Sequence, residues 1–424
     1  IFYAAAIFLP SALPISGFLM LILIIIFFSK KTNLPKNKSI NYLIILTIIL
    51  MLISSIYSSI NIDKFISDSQ SFSPNFLNTY KFNIWIDLLN WFPLFLIYFV
   101  SQKYLIDIKD RIKFAKYIFI GTIPVIISCV LQYWFKVYGP FEFLFGSIVW
   151  FQKPISFGLG VSGLFSNQNY AGAWLSTIFP FSIFLIVKNK NFIFKRIIAF
   201  IFSLLQSYFI VLTNSRNAFF GLLISLVFIF GLKGINTMLL GLFFLILLIS
   251  SYSFFNPLFF NKFINGIVSN QLFIKISDFN FSDFIFFPRI EIFNITTNLI
   301  SESPIWGYGS GTFSNFYLNS GGLWNAQHAH NLPLQIAYDY GILVAITITL
   351  IFLLLFIETF KKIILDNSKS NLIDKCWFIS FTIALIFNLT DITYYDGKIS
   401  ILIWVMLSGL NCISNVKEEE KIYL

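Results

Sequence analysis

The stretch "HNLPLQIAYDYGILVAITITLIFLLLFIETFKK", from His330 to Lys362, decides the fold class. From Leu332 to Ile357 its only charged residue is Asp339. A run of that length crosses a ~30 Å hydrocarbon core as a helix. Two lysines close it, and one of the chain's two histidines opens it. The other, His328, lies two residues upstream.

Runs of the same kind recur near 1–29, 40–60, 82–101, 112–138, 169–187, 197–213, 217–232, 235–254, 376–390 and 397–413. Hydrophobic residues make up 57% of the 424 and charged residues 11%, where a soluble chain carries roughly twice that charge. Transmembrane β-barrels show short alternating segments instead. The expectation is an all-α polytopic membrane protein with about eleven transmembrane helices. Residues 1–254 would hold the N-terminal helices, 255–331 a large loop, and 332–424 the C-terminal helices and tail.

The net charge of +10 is a topology signal. Of the 29 Lys and Arg, 20 fall in the loops on one side, and the longer opposite loops hold the rest. Cytoplasmic loops carry the Lys/Arg excess. The C-terminus is therefore expected inside, and the loop 255–331 and residue 1 outside. Residue 1 is Ile rather than Met, so an upstream helix, giving twelve in the full protein, is expected. Basic residues sorted in this way indicate membrane lipids as partners and no nucleic acid. Cys129, Cys376 and Cys412 lie in or beside apolar spans, away from the histidines, and form no disulfide or metal pattern.

Polar groups inside spans are costly and are functional candidates by default. Here they gather at the outer ends: Asp87 and Asn90; Asn167, Gln168 and Asn169; Gln335 and Asp339; Asn388, Asp391 and Asp396; and Arg216 in a short outer link. Each could merely satisfy a helix end, but together they suggest a polar cavity opening outward. In the long loop, Pro288 starts a helix of about three turns, with Ile290, Phe293, Ile295 and Leu299 near helical spacing, ending at "SESP". "GYGSG", Gly307–Gly311, makes a tight turn outside any strand–turn–helix context, which argues against a nucleotide loop.

His328 and His330 admit three readings. A metal site needs three or four ligands, and the sequence offers no third histidine or nearby cysteine. A helix cap is the bland reading. General base work is the third, because a neutral imidazole can take a proton from a hydroxyl at neutral pH. A base acting on a donor with an anionic leaving group also needs cations. Arg216 and Arg289 are the only outer arginines, and their forked guanidinium groups suit phosphate. The set describes a transferase using a lipid-anchored pyrophosphate donor, with no cofactor and no metal.

Several motifs resemble those of the bacterial O-antigen ligase family. His330-Asn331, nine residues and Gly341 match its His-centred motif, although Val344 departs from the final position. "GLFSNQNYAG", "TNSRNAFFG" and "RIEIFNITTNLISESPIWGYGSGTF" resemble its other conserved stretches, with Phe293 where Trp is usual. The similarity covers roughly residues 160 to 345. The resemblance implies a GT-C-like glycosyltransferase of the inner membrane, with its active site on the periplasmic face. It would move a glycan from undecaprenyl pyrophosphate to an acceptor hydroxyl, for ligases a sugar of lipid A–core. It implies His330 as catalytic base and Arg216 and Arg289 as donor pyrophosphate ligands. His328, Asn331, Asp339, Gln335 and Asn169 would support them. An O-antigen or exopolysaccharide polymerase, or a protein O-oligosaccharyltransferase, shares this chemistry. A transporter, such as the inorganic-carbon type, would place its polar site at the midplane between repeated halves; no repeat is seen.

Overall fold

The computed structural model describes residues 1–29, 38–61, 74–155, 159–189, 191–231, 288–365 and 371–415. The expected span 235–254 and the first part of the long loop, 255–287, lie outside the described residues. The helices are α1 Phe2–Phe8, α2 Leu13–Ser29, α3 Lys38–Ile60, α4 Pro74–Gln102, α5 Ile108–Tyr133, α6 Gln168–Lys188, α7 Ile193–Leu212, α8 Arg216–Gly231, α9 Pro288–Glu302, α10 Phe313–Asn319, α11 Leu332–Tyr340, α12 Ile342–Phe360, α13 Leu372–Thr390 and α14 Gly397–Asn415. Among the described residues, eight segments are long and apolar enough to cross a membrane, with α2 and α8 shorter apolar helices. The protein is a mostly helical, polytopic membrane protein.

Two expected spans are broken. The run 1–29 is two helices, because Pro10 supplies no backbone N–H at the junction and Pro14 suits only the opening turn of α2. The run 332–357 divides at Gly341, where φ is +90°. A β-carbon there would lie 1.9 Å from the Ile305 carbonyl oxygen, so only glycine fits. Among the described residues, one hairpin departs from all-α: β1 Phe141–Phe143 pairs antiparallel with β2 Ile148–Trp150, Phe141 opposite Trp150.

The described helices fall into two compact units. The first takes Ile1–Ile22, Ile108–Phe279 and Ser370–Ala384. Its deepest helix is α6, buried from Ala171 to Leu185. Helices in lipid have no hydrophobic drive toward one another, so polar contacts and close packing join them. Gln206 of α7 does this, donating to the Leu175 carbonyl at 2.7 Å and accepting from Ser182 at 2.6 Å. Trp174 Nε1 donates to Thr122 of α5 at 3.2 Å. The Arg111 fork reaches both oxygens of Asp374, at 2.8 and 3.2 Å. Along α7, Ile197, Phe200, Ile201 and Leu204 stay exposed, as a lipid-facing helix requires.

The second unit takes Leu23–Asp107, Asn280–Lys369 and Leu385–Leu424. Here α4 packs on α14, and α12 packs on α3 and α14. Ser408 donates to the Tyr98 carbonyl, and Asn411 donates to Gln102 Oε1 at 3.1 Å. The break at Gly341 is filled by the chain that follows α9. Tyr308 and Gly309 donate their amides to the carbonyls of Tyr338 and Asp339 at 2.8 and 2.9 Å, and Ile342 donates to the Pro304 carbonyl at 2.8 Å. The glycines of "GYGSG" let that chain lie flat against its neighbours. Two of its amides are spent on the end of α11 rather than offered to a phosphate.

Candidate active site

The site is built where the long loop runs into α11. Asn331 caps that helix, its side-chain oxygen accepting from Leu334 N at 3.0 Å. Such a cap contributes about 1 kcal/mol. Its Nδ2 donates to the Leu389 carbonyl at 2.9 Å, which straps the start of α11 to the end of α13. The preceding residue, His330, is held at φ +52°, a left-handed conformation uncommon outside glycine. Gln335 secures the neighbouring backbone, its Oε1 accepting from Ala329 N at 2.8 Å, while its Nε2 donates to Asp339 at 3.0 Å. Residues so over-determined carry local strain that sites put to use.

The strap brings Asp391 to His330. Asp391 Oδ1 lies 3.0 Å from His330 Nδ1 and also accepts from Ile392 N at 2.9 Å. Burial alone would raise this carboxyl. The His330 hydrogen bond, the Ile392 amide and His328 outweigh it and hold it below the usual carboxylate range. An ionised Asp391 accepts, so Nδ1 carries the proton and Nε2 keeps its lone pair. The Asp391 side chain is 9% exposed and that of His330 29%, so the carboxylate is covered while the imidazole stays reachable.

His328 stands beside this pair. Its ring meets His330 edge-on, with centroids 4.3 Å apart, and its Nδ1 accepts from His330 N at 3.2 Å. Burial is the main cause that pushes it down to about 4, with smaller contributions from His330 and Arg289 against the pull of Asp391, so it is neutral at neutral pH. Among the described residues, no carboxylate lies within ion-pair distance of Arg289 or Arg216.

The long loop is tied to itself near the site. Glu291 of α9 accepts from Tyr317 OH and Leu323 N, each at 2.8 Å. The Leu323 amide is the main reason its carboxyl sits below the ordinary value. Helix α9 starts at Pro288 as expected and runs fifteen residues, to Glu302. Its buried face is Ile292, Thr296, Leu299 and Ile300; of the apolar residues expected at helical spacing, only Leu299 is on it.

The expected site residues are divided between the two units. His330, His328, Asn331, Gln335, Asp339 and Arg289 belong to the second unit. Arg216 and Asn169 belong to the first. Arg216 opens α8 with its side chain exposed, after a turn in which Asn214 takes φ +55° and Thr213 Oγ1 accepts from Ser215 N. Asn169 lies in the first turn of α6, which Asn167 caps through Tyr170 N at 2.9 Å. Several of the polar residues expected at outer ends prove to be caps, Asp396 among them, accepting from Lys398 N and Ile399 N. Gln335 and Asp339 are buried and brace the loop. Asp87 accepts from Tyr340 OH at 3.0 Å.

Residues 201–349 match the family model described as O-antigen ligase. Over those residues the chain is similar to that family. No curated protein matches the chain. The family segment contains the Arg216 turn, α9, both histidines and the Gly341 break, whereas Asp391 lies beyond it.

Sequence reasoning noted Asp391 as an outer polar residue and missed it as the partner of His330. It also counted no third potential metal ligand, yet His328, His330 and Asp391 place three donor atoms within 4.8 Å of one another. Metal binding there would compete with hydrogen bonds already made. Asp391 Oδ1 is engaged by His330 and Ile392 N, and His328 Nδ1 accepts a backbone amide. The arrangement as it stands is an imidazole oriented by a carboxylate, with a second, neutral imidazole against it.

Proposed function

We propose that the protein is a glycosyltransferase of the bacterial inner membrane that moves a glycan from undecaprenyl pyrophosphate to an acceptor hydroxyl at its periplasmic face. The observation that carries this is the His330–Asp391 pair, 3.0 Å apart, inside a family fold of the O-antigen ligase type. In the proposed step His330 Nε2 takes the acceptor hydroxyl proton. The acceptor oxygen then bonds to the anomeric carbon of the donor sugar. The bond from that carbon to the pyrophosphate oxygen breaks, and its electron pair leaves with the pyrophosphate. Arg289 and Arg216 stabilise the charge that builds there, a term that commonly dominates such catalysis. Asp391 orients His330 and stabilises the imidazolium as it forms.

The basic-inside loop pattern supports a long loop outside, and the resemblance to the O-antigen ligase family supports a GT-C-like arrangement. Ligation to lipid A–core is the preferred reaction. Polymerisation of O-antigen or exopolysaccharide, or protein O-glycosylation, uses the same machinery on another acceptor. The test is the glycan phenotype of a deletion strain, with transfer from a lipid-pyrophosphate donor measured in vitro. Loss of all long polysaccharide from lipid A supports a ligase, whereas lipid A bearing a single repeat unit supports a polymerase. Normal polysaccharide on both counts would sink the proposal.

A further inference from the structure

His328, His330 and Asp391 bring both of the chain's histidines against one carboxylate. They lie on two stretches of chain that are already fixed together. Asn331 ties the start of α11 to the end of α13 through the Leu389 carbonyl, at 2.9 Å. Gln335 holds the backbone between the histidines, accepting from Ala329 N at 2.8 Å. One donor atom from each residue lies within 4.8 Å of the other two, and His330 Nδ1 and Asp391 Oδ1 are 3.0 Å apart. Bonds of about 2.0–2.1 Å to a tetrahedral Zn²⁺ put its ligands roughly 3.3 Å apart. One edge of such a tetrahedron is therefore present, and the widest spacing closes by a shift of about 1.5 Å at a histidine ring. Two imidazoles and one carboxylate suit a borderline ion such as Zn²⁺, whereas Mg²⁺ and Ca²⁺ take oxygen ligands. The His330 side chain is 29% exposed, which gives an ion a way in.

We propose that Zn²⁺ binds His328, His330 and Asp391, with water at the fourth position, and that its binding switches transfer off. The inhibitory half rests on His330 being the base. Without the ion, His330 Nδ1 donates to Asp391 and Nε2 keeps its lone pair. An ion bound at Nδ1 takes the place of that proton, which moves to Nε2, the nitrogen that must accept from the acceptor hydroxyl. An ion bound at Nε2 covers the same lone pair directly. The ring stays neutral in both cases and loses no proton, yet nothing on it can accept one. Asp391 then neutralises the metal instead of orienting the imidazole. The ion displaces the His330–Asp391 bond and, where it takes His328 Nδ1, the bond from His330 N. The site is accordingly weaker than a dedicated structural zinc site, and it empties reversibly.

The test uses the full, untagged chain in nanodiscs, stripped of metal by chelator. The chain has no other histidine and its three cysteines are buried, so competing sites for such an ion are few. Co²⁺ is the spectroscopic probe. Wild-type protein should give the visible d–d bands of tetrahedral Co²⁺, and Zn²⁺, but not Mg²⁺, should bleach them. Zn²⁺ should also stop transfer from a lipid-pyrophosphate donor, and chelator should restore it. His328→Gln should weaken Zn²⁺ binding by at least about tenfold in calorimetry. The Zn²⁺ concentration that halves its own metal-free rate should rise by the same factor. If His328→Gln fails to accumulate, Asp391→Asn makes the binding comparison. Absence of the Co²⁺ bands, or equal Zn²⁺ affinity in wild type and variant, would overturn the site. Zn²⁺ that binds there and raises the rate would overturn the inhibitory role. Zn²⁺ that binds there while transfer runs at full rate would also overturn it, and would remove His330 as the base while the metal site stands.

Discussion

A neutral imidazole accepts a proton only at the nitrogen without one, so the partner of the other nitrogen decides what it can do. For His330 that partner is the Asp391 carboxylate, at Nδ1. His330→Ala should therefore lower transfer by about 10²–10⁴-fold, the usual worth of a positioned base, while the protein still inserts. Asp391→Asn, which keeps the shape but not the charge, should also lose most of the rate. Full transfer by either variant would remove its assigned role. Chelator added in parallel should leave the wild-type rate unchanged; loss of activity that Zn²⁺ restores would favour the three-donor metal site instead. Arg216→Ala should cost on the order of 10²-fold, and Arg216→Lys should recover only part, because a point charge does not replace a fork. A near-normal rate in Arg216→Ala would end its donor-binding role. His328 makes a prediction about pH. Its folded value of about 4 lies below the ordinary 6.5, so between the two the unfolded chain binds more protons. The stability linked to it is full above about 6.5 and is lost as pH falls toward 4. The wild-type melting temperature should thus fall more steeply over that window than that of His328→Gln, and parallel curves would refute the linkage.

At the scale of elements, the break between α11 and α12 explains a motif residue that has no chemistry of its own. Gly341 combines φ +90° with a β-carbon position 1.9 Å from the Ile305 carbonyl. Gly341→Ala should force the 304–309 segment off the end of α11 and lower the melting temperature sharply or prevent accumulation. An Ala variant as stable as wild type would show that the break is not fixed. This break also shows what the sequence could carry. Hydropathy reports the length of an apolar run, so most of the spans were legible; Gly341 and Pro10 alter backbone direction without altering hydropathy, so the divided helices at 332–357 and 1–29 were not. His330 and Asn331 were legible because a short motif carries both. Asp391 was not, because it comes 61 residues later and no helical period relates the two. The buried face of α9 was misread because Thr296, a polar residue, belongs to it while Phe293 does not.

At the scale of the whole molecule, the charge asymmetry makes a prediction about sidedness. A cysteine placed at Ser320 should react with a membrane-impermeant thiol reagent in intact spheroplasts, and one at Lys109 should react only after permeabilisation. The opposite pattern would invert the topology and with it the proposed periplasmic site. The division of the chain has a different consequence. Each compact unit is assembled from three separated pieces of sequence, and the second needs the last of them, Leu385–Leu424, for its base pair. Ribosomes add roughly 5–20 residues per second. His330 is thus synthesised seconds before Asp391 exists, and its insertion into the membrane precedes the carboxylate that selects its proton-accepting nitrogen. A nascent chain halted after α12 would hold the long loop and both histidines yet carry no oriented base. Biogenesis therefore acts as a timer for the proposed base: its orienting carboxylate arrives only with the final pair of helices.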